Sequence, residues 1–230
     1  MNVFSICDTG AIKETPRSEK ETAVPELPLL QVVQLVLRIP IYHAITLTWL
    51  IMCYNLDIFT TTLYDYAVDK GASATGAVSL ISYASLTDLL GRILLPLLAD
   101  RNYLRRSTLT ACNLFMMGAA VTCFPVAASY GAFVGVAVAV SCFLGCAMSM
   151  CGVLLADNVG LDKLEVSYGL MGVICAPLLF LKPYFVGFFR DKLGTYDDMY
   201  HILGGLLFFL SLIWGIIVIS ERRASTLYVL

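Results

Sequence analysis

The chain has 230 residues, 59% of them hydrophobic and 14% charged, against about 25% charged in soluble domains. With its long apolar runs, this composition points to a membrane protein and excludes an ordinary soluble domain. The formal net charge of -2 comes without a basic patch, so nucleic-acid binding is not indicated.

Residues 1–37 read as a cytoplasmic hydrophilic tail or linker. Met1 to Gly10 lack a basic region followed by a long apolar stretch, so no cleavable signal peptide is expected. Residues 11–28 interleave Lys13, Glu14, Arg17, Glu19, Lys20 and Glu21 with Pro16, Pro25 and Pro28, the composition of a disordered linker. Cys7 in this tail reads as a plain free thiol rather than a palmitoylation site.

Residues 38–220 hold six apolar stretches, each near the roughly 20 residues that a bilayer core requires. They run from Ile39 to Leu63, Gly76 to Ala99, Ser107 to Ala127, Tyr130 to Leu155, Val166 to Phe189 and Tyr200 to Ser220. The expected fold is an all-α membrane protein of six transmembrane helices, with residues 221–230 as a cytoplasmic C-terminal tail. Orientation follows from the basic residues. Lys13, Arg17, Lys20, Arg38, Arg101, Arg105, Arg106, Lys163, Arg222 and Arg223 fall on one side of a six-span arrangement, while Lys70, Arg190 and Lys192 fall on the other. Both termini are then cytoplasmic, and Ala128-Ser129-Tyr130 is a short external turn.

The first span carries Asp57, placed near its outer end, where it faces either the mouth of a cavity or water at the membrane interface. His43, near the cytoplasmic end, reads as an interface residue. The second span holds the most informative pair, Asp88 and Arg92, at mid-length. A charge at the centre of a membrane helix costs about 3 kcal/mol or more. Opposite charges at i and i+4 share a helix face and lower that cost by pairing. Intramembrane charges of this kind mark ion or substrate pathways, although an ion pair that merely orients helices would have the same spacing. Asp100 and Arg101 close the second span at the cytoplasmic face and are candidates for a gating latch.

The fourth span holds Gly131, Gly135, Ser141, Gly145, Ser149 and Gly152, small residues that let helices approach closely. In the fifth, Lys182 is a deep charge that either snorkels to the outer interface or faces a cavity and attracts anions. Pro177 and Pro183 remove backbone donors from the same helix and permit a kink. Tyr64, Tyr66, Tyr130, Tyr168, Tyr196 and Tyr200 sit near span ends and read as an aromatic belt. Cys53, Cys112, Cys123, Cys142, Cys146, Cys151 and Cys175 lie within apolar stretches, where thiols behave as small hydrophobes. No CxxC pair, HExxH, GxSxG, P-loop or Rossmann glycine pattern occurs, so no metal site, cofactor or enzymatic activity is expected.

Three blocks carry a family likeness. They are Tyr66-Ala67-Val68-Asp69-Lys70-Gly71-Ala72-Ser73; Asp88-Leu89-Leu90-Gly91-Arg92 with Ala99-Asp100-Arg101; and Pro183-x-x-x-Gly187-x-x-x-Asp191-x-x-Gly194-Thr195-Tyr196-Asp197. From about Pro40 to Ser220 the chain resembles the C-terminal six-helix half of a monocarboxylate transporter, within the major facilitator superfamily. Residues 1–37 then resemble the loop that joins the two halves. The resemblance implies proton-linked transport of small monocarboxylates such as lactate or pyruvate across the plasma membrane. It implies that Asp88 takes part in proton coupling and that Arg92 binds the substrate carboxylate. Two departures stand out: Pro96 replaces a glycine of the superfamily pattern, and no residue here corresponds to the helix-one lysine of the family's other half. The expected partners are a small carboxylate and a proton, the lipid bilayer, and the missing N-terminal half or a single-span accessory protein. The alternatives are a truncated, non-transporting half that binds a membrane partner, or a facilitator of another organic solute.

Overall fold

A computed structural model describes residues 28–101 and 103–227, with side-chain environments as far as residue 224. Among the described residues every regular element is helical, as lipid demands of segments that must satisfy their own backbone groups. A short helix α1 (Leu29–Leu37) precedes α2 (Pro40–Asp69), so the end of the stretch read as hydrophilic tail is helical. Ile39 is extended and Pro40 opens α2 at its first turn, where a missing N–H costs nothing.

The chain continues through α3 (Ala74–Asp100), α4 (Arg106–Cys123) and α5 (Tyr130–Val159). The Ser73 and Ser129 hydroxyls cap α3 and α5 by accepting from the Gly76 and Ala132 amides. The fifth expected span is built in pieces: a 3-10 turn at Leu161–Lys163, α6 (Leu164–Leu179), α7 (Lys182–Phe188) and a π-turn at Phe189–Leu193. The break at Phe180-Leu181 lies between Pro177 and Pro183, where the sequence allows a kink. α8 (Asp197–Leu227) closes the bundle.

Five of these segments are long and apolar enough to cross a membrane: Pro40–Asp69, Ala74–Asp100, Tyr130–Val159, Leu161–Leu193 and Asp197–Ala224. The third expected span, α4, is the shorter and more polar member. Its 18 residues rise about 27 Å at 1.5 Å per residue, and it buries Ser107, Thr110 and Asn113. It sits between α8 and α5 rather than against lipid alone. Its polar groups bond across those contacts: Asn113 donates to the Phe143 carbonyl at 2.9 Å, and Ser211 donates to the Ala111 carbonyl at 3.0 Å.

α3 packs along α5, α4 packs along α8, and α5 also meets α2. Two glycines set the α3–α5 approach. A Cβ at Gly91 would overlap the Cys142 carbonyl, and one at Gly145 would overlap the Asp88 carbonyl. The core is filled by Trp214, Tyr42, Tyr200, Phe124 and Phe133, all essentially inaccessible. The Trp214 indole donates to Thr48 at 2.9 Å, and the Tyr42 hydroxyl donates to the Ser167 carbonyl at 3.0 Å.

The tyrosines correct one expectation. Tyr64, Tyr130 and Tyr168 are exposed, but Tyr66, Tyr196 and Tyr200 are buried. Tyr66 and Tyr200 stack at 5.1 Å between ring centres, and Phe124 stacks on Tyr200 at 5.0 Å. These three tyrosines are core residues near the C-terminal end of α2, not members of an interfacial belt.

Candidate functional site

On α3 the spacing of Asp88 and Arg92 has its expected consequence. Arg92 Nε donates to Asp88 Oδ2 at 2.8 Å, and Nη2 reaches Oδ1 at 3.5 Å. Neither side chain is sealed in: 25% of Asp88 and 39% of Arg92 remain accessible. Asp88 lines a cavity of about 170 Å³ with Leu56 and Thr60 of α2, Ser85 of α3, and Ser141 and Leu144 of α5.

Asp57, Thr60 and Thr61 on α2, and Ser85, Asp88 and Arg92 on α3, are all at least partly accessible. Thr60, Thr61 and Ser85 donate to carbonyls of their own helices, at 2.8, 2.6 and 2.9 Å, leaving their acceptor lone pairs outward. The other side of α3 presents Leu86, Leu90, Ile93 and Leu97, which are exposed and apolar. A polar stripe on an otherwise apolar helix faces protein or a water-filled path rather than lipid.

Lys182 does not join Asp88 and Arg92. It pairs with Asp57, in a second cavity of about 620 Å³ that includes Thr61, Pro183, Gly187 and Asp191. α2 is the wall between the two cavities, with Leu56 and Thr60 on one side and Asp57 and Thr61 on the other. Asp57 stands close to the middle of the 30-residue α2, not near its outer end as the sequence reading placed it, because the helix continues past Leu63 to Asp69. The Tyr54 ring lies 6.0 Å from Lys182 Nζ, and the Tyr54 hydroxyl donates to the Leu178 carbonyl beside the break. Tyr54 was missed in the sequence, where nothing marks one aromatic among many.

At the C-terminal end of α3 Asp100 pairs with Arg106 at 3.4 Å, and Arg101, its neighbour in sequence, is exposed. Arg106 also grips Asp157 at 2.5 Å, and Ser107 donates to Glu221 at 2.6 Å. The polar contacts at this end thus involve Arg106, Asp157 and Glu221, of which the sequence marks only Arg106, by its place in the topology. At the opposite end of the bundle Arg190 pairs with Asp69, and Lys70 lies 3.6 Å from Asp197, which also accepts from the Tyr66 hydroxyl. Between the last two long segments, burial pushes the Tyr196 hydroxyl above the usual phenol range, against the opposing pull of Arg190. His43 Nε2 donates to the Leu37 carbonyl, 2.9 Å away on the surface. Among the described residues no group of His, Cys, Asp and Glu is arranged to hold a metal.

A bundle of membrane-length helices with a charged pair at mid-depth on an open polar stripe is the architecture of a transporter's helical domain. The Major Facilitator Superfamily model matches residues 8–181. The chain belongs to that superfamily, and its likeness within it is to the monocarboxylate transporters. It is 26% identical over 180 residues to monocarboxylate transporter 12 of Rattus norvegicus, covering 77% of this chain and 37% of that protein. It is 30% identical over 138 residues to monocarboxylate transporter 9 of Gallus gallus, covering 57% of this chain and 27% of that protein. It is 29% identical over 123 residues to monocarboxylate transporter 10 of Mus musculus, covering 52% and 23%. The chain thus spans less than half the length of these relatives. The superfamily and the matched relatives are transporters rather than enzymes.

Proposed function

We propose that this chain supplies the C-terminal half of a proton-linked carrier of small monocarboxylates, such as lactate or pyruvate, in the plasma membrane with both termini cytoplasmic. The observation that carries this reading is the Asp88–Arg92 pair, placed at mid-depth beside a cavity and left partly open. A guanidinium binds a carboxylate through two parallel hydrogen bonds, so an arriving substrate competes with Asp88 for Arg92. Released from its cation, the Asp88 carboxylate takes up a proton. Anion and proton then cross together without net charge. Lys182, in the cavity across α2, offers the substrate a separate binding cation, and the Asp100 end of α3, through Arg106, latches the cytoplasmic side together with Arg101. The remaining wall of the path comes from a second half, in a fuller chain or a partner, rocking against this one.

The test is uptake of labelled lactate driven by an inward proton gradient. Asp88→Asn and Arg92→Lys each abolish it if the reading is right. Undiminished uptake in both variants would sink it and favour a facilitator of a neutral solute. The exposed apolar side of α3 favours one competing reading, a non-transporting half that binds a membrane partner. Under that reading the chain cross-links to a partner and the two substitutions change no flux.

A further inference from the structure

The second cavity holds a cation whose present partner belongs to the same chemical class as the proposed substrate. Lys182 follows directly on the Phe180-Leu181 break, and its ammonium is paired with the Asp57 carboxylate. The lysine side chain is only 19% accessible, whereas Asp57 is 49% accessible. The surrounding wall is mostly apolar, from Ile58, Leu179, Pro183 and Val186; of the other charges that line it, Arg190 is paired with Asp69, and Asp191 is not the carboxylate paired with Lys182. Tyr54 braces the lysine from α2: its ring faces Nζ, and its hydroxyl is tied to the Leu178 carbonyl.

The two ends of this pair are therefore unequal. Lys182, fixed at the break and largely enclosed, needs an anion wherever the groove is dry. Asp57, half open, is rehydrated on letting go. An ammonium has three donors, so an incoming carboxylate can engage Lys182 before Asp57 leaves, and the exchange swaps one ion pair for an equivalent one.

We infer that Asp57 is a built-in competitor at an anion subsite on Lys182, occupying the position that a substrate carboxylate takes and thereby setting the affinity and the preference for anions. This rests on the carboxylate-carrier reading above. It adds a subsite across α2 from the Asp88–Arg92 pair and a specificity-determining residue in Asp57. A resident competitor lowers apparent affinity by the fraction of time it holds the site.

The experiment is a ligand-induced stability shift on the full chain purified in lipid nanodiscs, titrated with pyruvate and with its neutral amide. Asp57→Asn is expected to tighten the pyruvate response by about fivefold or more and to leave the amide response unchanged. The tightening is expected to vanish in Asp57→Asn/Lys182→Gln, which also removes the unpaired lysine and guards against a simple folding defect. A wild-type response to pyruvate that Asp57→Asn leaves unchanged or weakens overturns this inference alone. Tightening that persists in the double variant also overturns it, because Lys182 is then not the site. No pyruvate response in wild type, Asp57→Asn or the double variant overturns the subsite, while the carrier reading itself stands or falls by the uptake assay above.

Discussion

Gly145 of α5 lies against the backbone carbonyl of Asp88, so closely that a Cβ there would overlap it and come within 2.9 Å of the Asp88 carboxylate. The proposed proton acceptor is thus positioned by the absence of a side chain on a neighbouring helix. Gly91, between Asp88 and Arg92, meets the Cys142 carbonyl in the same way. Close helix approach through small residues is a common membrane-packing device, and here it fixes the depth and rotation of the charged pair. Gly145→Ala is expected to force α3 and α5 apart, at about 1–3 kcal/mol, and to reduce proton-driven uptake along with thermal stability. Gly131→Ala and Gly135→Ala, where nothing lies within 4 Å of the added carbon, serve as controls and should change neither. Equal melting temperatures for Gly145→Ala and the controls would show that the contact does not constrain Asp88.

The Asp88–Arg92 pair predicts a non-additive mutant cycle. Arg92→Gln leaves a carboxylate unpaired at mid-depth, and Asp88→Asn leaves a guanidinium unpaired. Each is expected to cost about 1–3 kcal/mol in unfolding free energy, since removing one partner of a low-dielectric pair costs more than removing both. Asp88→Asn/Arg92→Gln is expected to be more stable than either single variant while transporting no better. Denaturant midpoints in mixed micelles measure this, and a double variant at the sum of the two single losses would mean that the pair is uncoupled.

The Asp88–Arg92 contact was legible in the sequence because both charges lie on one helix, where i and i+4 fix their geometry. Asp57 and Lys182 were each visible as charges in apolar surroundings, but their pairing was not, because it joins α2 to α7 across 125 residues of sequence and depends on the break at Phe180-Leu181. The partner of Asp100 was hidden for a related reason. Asp100 and Arg101 are adjacent in sequence, but adjacent helical residues point in directions about 100° apart, given 3.6 residues per turn, so Asp100 finds Arg106 on the next helix instead. The six apolar stretches were plain from hydropathy, yet hydropathy does not separate a buried tyrosine from an interfacial one. Tyr66, Tyr196 and Tyr200 pack inward because aromatic partners lie beneath them.

Arg106 ties three segments at the C-terminal end of α3, pairing with Asp157 at 2.5 Å and Asp100 at 3.4 Å. All three side chains are 39–55% accessible, so water screens them and each pair contributes about 1 kcal/mol or less. Arg106→Gln is therefore expected to leave folding nearly unchanged but to loosen α3 from α5 at this end. Ala99, 7% exposed beside the cluster, reports the loosening. A cysteine placed there, with the native cysteines replaced, should react with a maleimide several-fold faster when Arg106→Gln is added. High salt should produce part of the same effect without any substitution, because screening weakens exposed pairs. An unchanged labelling rate in the variant would mean that the cluster does not hold the helices together.

The break in the fifth span rests on Tyr54. Its hydroxyl bonds the Leu178 carbonyl, and its ring meets Phe185 edge-on at 6.4 Å, on the far side of the break. Pro183 has no amide hydrogen to donate, and the Leu178 carbonyl accepts both from the Leu181 amide at 3.1 Å and from Tyr54. Tyr54→Phe keeps the ring contact and removes only the hydroxyl, at an expected cost of about 0.5–1.5 kcal/mol. The larger consequence is in motion: with this tie from α2 removed and only the Leu181 amide left on the carbonyl, α6 and α7 should flex more freely and carry Lys182 away from Asp57. Hydrogen exchange at Leu181 and Phe185 should rise in Tyr54→Phe while exchange in α4 and α8 stays as in the wild type. Tyr54→Ala should add loss of the ring contact and a further increase at Phe185. Unaltered exchange around the break in Tyr54→Phe would assign the kink to the two prolines alone.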